Sequence, residues 1–112
     1  MDEFPAVQSV VKSTLALAGK AQRIKRLKVI VGERSGLSLQ GLREHFKPAA
    51  LGTPAENAVL ELFEEKCIAQ CAECETDFKP HKLTLACPFC GSTQLNYIAG
   101  NQIKIAAVEV EP

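Results

Sequence analysis

The chain has 112 residues, is 46% hydrophobic, and carries 13 Lys and Arg against 13 Asp and Glu. That length holds one ordinary core but not two self-sufficient ones, so any second unit has to be small and stapled from outside. Balanced charge argues against a polyanion binder, no apolar run approaches the ~20 residues of a membrane span, and the N-terminus lacks the basic and apolar regions of a secretory signal, so the expected compartment is the cytoplasm.

From Phe4 to Ala18 apolar residues recur at helical spacing, with Val7, Val10, Val11, Thr14, Leu15 and Ala18 on one face and Gly19 as the stop. A helix-to-strand change is expected near Ala21. From Arg23 to Glu33 the period shifts to two, Leu27, Val29 and Val31 alternating with Arg26, Lys28 and Ile30, as in a strand packed on one side. Ser35 and Gly36 mark a turn. Leu39, Leu42, Phe46 and Ala50 then space out a second helix, capped by Ser38 or Ser35 and kinked or shortened by Pro48.

Thr53 and Pro54 break that pattern before a second strand from Ala58 to Glu65. Residues 67–97 have too few large apolar side chains to fill a core. Gly100-Asn101 lies between Leu95–Ala99 and Gln102–Val110, the signal for a hairpin with a primed turn. In the last strand the apolar parity flips at Ala106-Ala107, between Ile103 and Ile105 on one side and Val108 and Val110 on the other, which predicts a β-bulge or a change of buried face.

Four of the five cysteines form two pairs, Cys71-Ala-Glu-Cys74 and Cys87-Pro-Phe-Cys90, separated by 12 residues. In a chain without secretory features such pairs favour a metal over disulfides, and the spacing is that of a zinc ribbon. Four thiolates fill a tetrahedral shell, so zinc here is structural and leaves no open position for a catalytic water. A rubredoxin-like iron centre and a redox dithiol are the alternatives. Cys67 reads as a small buried hydrophobe. His81, between the pairs, is a solvated loop residue or an auxiliary, pH-sensitive ligand; His45 falls on the polar side of the second helix. The basic run Lys20, Arg23, Lys25, Arg26 and Lys28 raises nucleic acid, but Glu61, Glu64 and Glu65 on the neighbouring strand are placed to pair with it, giving a solvated cross-strand charge face. Nothing resembles a nucleophile, base and oxyanion arrangement, so no enzyme is expected.

The fold expected is α+β: a small mixed sheet of about three strands with two helices, carrying an inserted four-cysteine zinc-ribbon domain. The α/β domain is discontinuous, residues 1–66 and 99–112, and the ribbon takes 67–98.

An acidic pair leading directly into a helix, the segment Val31-Gly-Glu-Arg-Ser-Gly-Leu37, the segment Gly52-Thr-Pro-Ala-Glu-Asn-Ala-Val-Leu-Glu61 and a late zinc ribbon together resemble the HypA family across essentially the whole chain. Those proteins are nickel metallochaperones for the maturation of nickel–iron hydrogenases and, in some organisms, urease. The resemblance implies a non-enzymatic role, transient Ni²⁺ beside structural Zn²⁺, and docking on a hydrogenase large subunit or a maturation GTPase; it leaves a homodimer open. Family members hold nickel at a Met-His-Glu opening, through the terminal amine, backbone amides and the imidazole. This chain opens Met1-Asp2-Glu3, with Asp2 in the place of the histidine. Carboxylate is a harder ligand than imidazole, so nickel is expected to bind more weakly here. Three readings follow: Met1, Asp2 and Glu3 still hold nickel; nickel recruits His45 or His81; or the chain keeps only a docking role.

Overall fold

The computed structural model describes residues 3–20, 23–81 and 84–111. The elements run α1 (Phe4–Ala18), β1 (Arg23–Gly32), α2 (Leu39–Ala50), β2 (Val59–Glu65), β3 (Ile68–Cys71), β4 (Asp77–Phe78), β5 (Leu95–Ala99) and β6 (Ile103–Glu111). The expected helix-to-strand change at Ala21 lies outside the described residues. The strands form two three-stranded sheets, ordered β2-β1-β6 and β4-β3-β5, which together with the two helices give the expected α+β fold. The molecule is elongated, 53 × 29 × 17 Å.

The first sheet is mixed: β1 lies parallel to β2 and antiparallel to β6. Both helices cover one face of it. Their apolar stripes, Val7, Val10 and Val11 from α1 and Leu42, Phe46 and Ala50 from α2, close over Ile24, Leu27, Val29 and Val31 in a single buried cluster. Thr14 is fully buried among them, its hydroxyl donating to the Val10 carbonyl at 2.8 Å, so the helix's own backbone satisfies the polar group. Gly19 stops α1 with φ of 64° and its N–H on the Leu15 carbonyl. Ser38 is the cap of α2, its Oγ accepting from the Gly41 N–H at 2.9 Å. Pro48 neither breaks nor shortens that helix visibly: it sits in the last turn, where its missing N–H removes one backbone bond before the helix ends at Ala50.

The parity flip in β6 is a bulge. Lys28 pairs with Ala107 and Val29 with Ile105, so Ala106 is the extra residue, and Ile103, Ile105 and Val108 all pack on the core. A second irregularity falls at Lys25, between the pairs Ile24–Val110 and Arg26–Glu109. It lets Ile24 and Leu27, three residues apart, both point inward. The outer face carries the charges: Arg26 reaches Glu61 at 3.3 Å and Glu109 at 3.9 Å, and Lys28 lies 4.9 Å from the centre of the Phe63 ring. The basic run of β1 is therefore a cross-strand charge face, but of the three acidic residues expected to pair with it only Glu61 does. Glu64 goes to Lys66 and Glu65 to Lys104, while Glu109 and Glu111 of β6 meet Lys25, Arg26 and Arg23 from the other side.

Gly100-Asn101 does not close a hairpin. β5 pairs with β3 in the second sheet and β6 with β1 in the first, so these two residues carry the chain from one sheet to the other. Carbonyls on either side of Asn101 serve the end of β1 and its extension: Gly32 N–H donates to the Gln102 carbonyl at 2.8 Å and Arg34 N–H to the Gly100 carbonyl at 2.7 Å. Gly100, with φ of 77°, lies so close to Cys67 that a Cβ would come within 2.5 Å of the Cys67 Cα. Turn residues of the hairpin type are thus spent on a crossing of two chain passages. Cys67 is buried there, and burial pushes its thiol up from the ordinary value.

Candidate metal centre and N-terminal site

β3 delivers Cys71 and the loop after it Cys74; the loop before β5 delivers Cys87 and Cys90. The two loops are built alike. Cys71 N–H donates to the Thr76 carbonyl and Glu75 N–H to the Cys71 carbonyl; in the other loop Cys87 N–H donates to Ser92 and Gly91 N–H to Cys87. Each loop turns through a left-handed residue four positions after its first cysteine, Glu75 with φ of 61° and Gly91 with φ of 79°. Within each, a backbone N–H points at the first sulfur: Cys74 N–H at Cys71 Sγ, 3.5 Å, and Phe89 N–H at Cys87 Sγ, 3.4 Å. Such donors are what a metal-bound thiolate needs around it.

The four Sγ atoms lie within 4.8 Å of one another, with Cys71–Cys90 at 3.4 Å and Cys74–Cys87 at 3.7 Å. Sulfurs at ~2.3 Å from a tetrahedral zinc ion stand about 3.8 Å apart, so the set fits such an ion. All four cysteines are free thiols. Thr76, through its hydroxyl and its N–H, lowers the Cys74 thiol to about 6, and the Cys74 N–H lowers that of Cys71. At Cys90 the Ser92 N–H pulls down, yet the crowding of the Cys71, Cys74 and Cys87 thiols together with burial wins and pushes it up to about 12. Two sulfurs belong to buried residues and two to exposed ones.

His81 is exposed and takes part through its backbone. Its carbonyl accepts from Arg34 Nη2 at 2.7 Å, while Arg34 Nη1 donates to the Tyr97 hydroxyl at 2.9 Å with the guanidinium 5.4 Å from that ring. One side chain from the loop after β1 thereby holds both the loop between the cysteine pairs and the strand β5. His45 is not on a purely polar side of α2. It is half-buried, edge-on to Phe4 with ring centroids 5.9 Å apart, at the start of α1.

Met1 and Asp2 lie outside the described residues. Glu3 begins α1 through its carbonyl, which accepts from the Val7 N–H at 3.1 Å, but its side chain gives that helix no cap. The carboxylate turns to the start of α2: Oε1 accepts from the Ser38 N–H at 3.3 Å and Oε2 from the Ser38 hydroxyl at 3.1 Å. No periodicity or motif announces this contact, because its partners are 35 residues apart. Among the described residues no helix is long and apolar enough to cross a membrane.

Residues 1–110 match the family model described as HypA, hydrogenase/urease nickel incorporation, metallochaperone. The chain belongs to the HypA family. A hydrogenase maturation factor HypA from Xanthobacter autotrophicus is 34% identical, with 98% of this chain and 99% of that protein covered. The HypA of Chlorobium limicola is 31% identical over 99% of this chain and 97% of its own length. The solution structure of the nickel metallochaperone HypA from Helicobacter pylori superposes with a TM-score of 0.75 at 27% identity, covering 98% of this chain and 97% of that one. Sequence and architecture thus agree on HypA from end to end, and the four-cysteine centre sits inside that match.

Proposed function

We propose that this HypA protein carries nickel at its N-terminal segment, on the terminal amine and the amide nitrogens of Met1, Asp2 and Glu3, and keeps zinc at Cys71, Cys74, Cys87 and Cys90 as a structural ion. The observation that carries the reading is the closure of the four-thiol set: its sulfurs already fill a tetrahedron, so a cargo ion has to be held elsewhere. The cysteine centre would supply folding energy to a ribbon that has little apolar core; the terminus would bind and release. The role is non-enzymatic, exercised in the cytoplasm on a hydrogenase large subunit or together with a maturation GTPase. We read the two sheets as two domains, residues 1–66 with 99–112 and residues 67–98.

A second reading gives the imidazole to His45, supported by its place against Phe4, next to Glu3, the last residue of the proposed site. Metal analysis and nickel titration test both. Purified protein should hold about one zinc per chain, and iron in its place would end the structural-zinc reading. Nickel should bind the zinc-loaded chain, and Asp2→His should bind it more tightly by supplying a better-matched ligand. An Asp2→His protein with no gain in affinity rules out the terminal site, and a loss of nickel in His45→Ala selects the second reading.

A further inference from the structure

We propose that the start of α2 is a dock that positions the metal-binding terminus, with Ser38 and Gly41 as positioning residues and the Glu3 carboxylate engaged there rather than on the metal. The proposal rests on the nickel reading above and adds to it which residues hold the site in place.

Gly41 is the central observation. It is buried in the first turn of α2 in ordinary helical conformation, where alanine would normally serve the helix better. A Cβ built on it falls onto the Glu3 carboxylate and meets the Ser38 hydroxyl at 3.0 Å. The absent side chain is therefore the space into which Glu3 fits. The carboxylate is also placed where a helix start favours a negative charge, with the Ser38 N–H and hydroxyl both donating to it. The Ser38 hydroxyl oxygen in turn accepts from Gly41 N–H at 2.9 Å, so one hydroxyl joins the helix cap to the terminus.

This arrangement divides two functions of Glu3: its side chain is held by α2 and its carbonyl starts α1. A site that is competent only while Glu3 is docked loses apparent affinity in proportion to the undocked fraction.

The test uses the full, zinc-loaded chain and Ni²⁺ itself. Gly41→Ala should fold and retain its zinc, because the nearest atoms it displaces are the flexible end of Glu3 and the Ser38 hydroxyl at the helix start rather than the core. Its nickel affinity should fall about tenfold, and amide exchange in the first turn of α1 should speed up. Ser38→Gly, which removes the hydroxymethyl group at a helix start that tolerates glycine, should lose about threefold. Unchanged or increased nickel affinity in Gly41→Ala overturns the proposal, since a carboxylate that ligates the metal would be freed by that substitution. If Gly41→Ala does not fold, the decision passes to Ser38→Gly, and unchanged affinity there overturns it in the same way.

A chain extended by one glycine before Met1 separates the two readings. It should lose nickel altogether, because the terminal amine is displaced. Nickel retained by the extended chain overturns both the terminal site and its dock; nickel lost by the extended chain but unaffected by Gly41→Ala overturns the dock alone.

Discussion

The two three-stranded sheets of this protein are held by different forces. The first is covered by both helices, with Ile24, Leu27, Val29 and Val31 of its central strand removed from solvent. The second, among its described residues, has only Ala69 and the cysteines Cys67, Cys71 and Cys87 buried along its strands and loops, while Leu85 and Phe89 beside the cysteine pairs stand exposed. The hydrophobic effect acts through buried area, so the first sheet is stabilised by its own side chains. The second lacks that area, and a metal ion held among its four sulfurs would supply the missing stability. A zinc site of this type contributes roughly 10–16 kcal/mol of apparent binding energy in small modules, enough to replace a missing core.

The largest expected effect breaks the comparison open. Removing the metal with a chelator, or replacing Cys71 by Ala, should unfold the ribbon while the first sheet survives. Amide exchange would then become fast in β3, β4 and β5 and stay slow in β1. Loss of protection in β1 to the same extent would show that the two sheets form one cooperative unit. The converse change is smaller: Leu27→Ala, a truncation beneath both helices, should lower stability by about 2–5 kcal/mol in urea titration and leave the zinc content unchanged.

The smallest effect tests the joint. Glu65, whose carboxylate accepts from the Gly100 N–H at 2.9 Å and pairs with Lys104, is held below its ordinary value by those two partners in that order. A lowered carboxyl pKa gives stability that is present above the unfolded value and lost as pH falls through the folded one. The urea midpoint should therefore drop on acidification through and below pH 4.5, and Glu65→Gln, which keeps an acceptor but not the charge, should flatten that drop. An identical pH profile in the two proteins would leave Glu65 without a role at the joint.

Much of the fold was legible because its signals are local. The period of 3.6 in α1, the alternation of β1 and the two cysteine pairs each reside within a short window, and the extra residue at Ala106 announced itself by the parity of Ile105 and Val108. What escaped depends on long-range partners. The irregularity at Lys25 is visible only once Ile24 and Leu27 are known to share a core. Gly100-Asn101 carries the residues of a hairpin turn, but the strands on either side find better partners in separate sheets, so tertiary pairing overrides turn chemistry. Glu3 and Ser38 meet because α1 packs on α2, and His45 reaches Phe4 for the same reason. The part of the candidate site that folding assembles was hidden for that reason, while the part that cysteine spacing encodes was plain.

The close approach of Cys67 and Gly100 means that the chain leaves the first sheet and comes back to it at one spot. Everything between those residues is, for the helical layer, a loop whose two ends already touch. The entropy of closing such a loop grows only with the logarithm of its length, so the layer is nearly indifferent to what the loop contains. A ribbon of another size, or a different metal module, grafted between Lys66 and Asn101 would meet the same narrow doorway and the same two glycines, Gly32 and Gly100, that keep it shut.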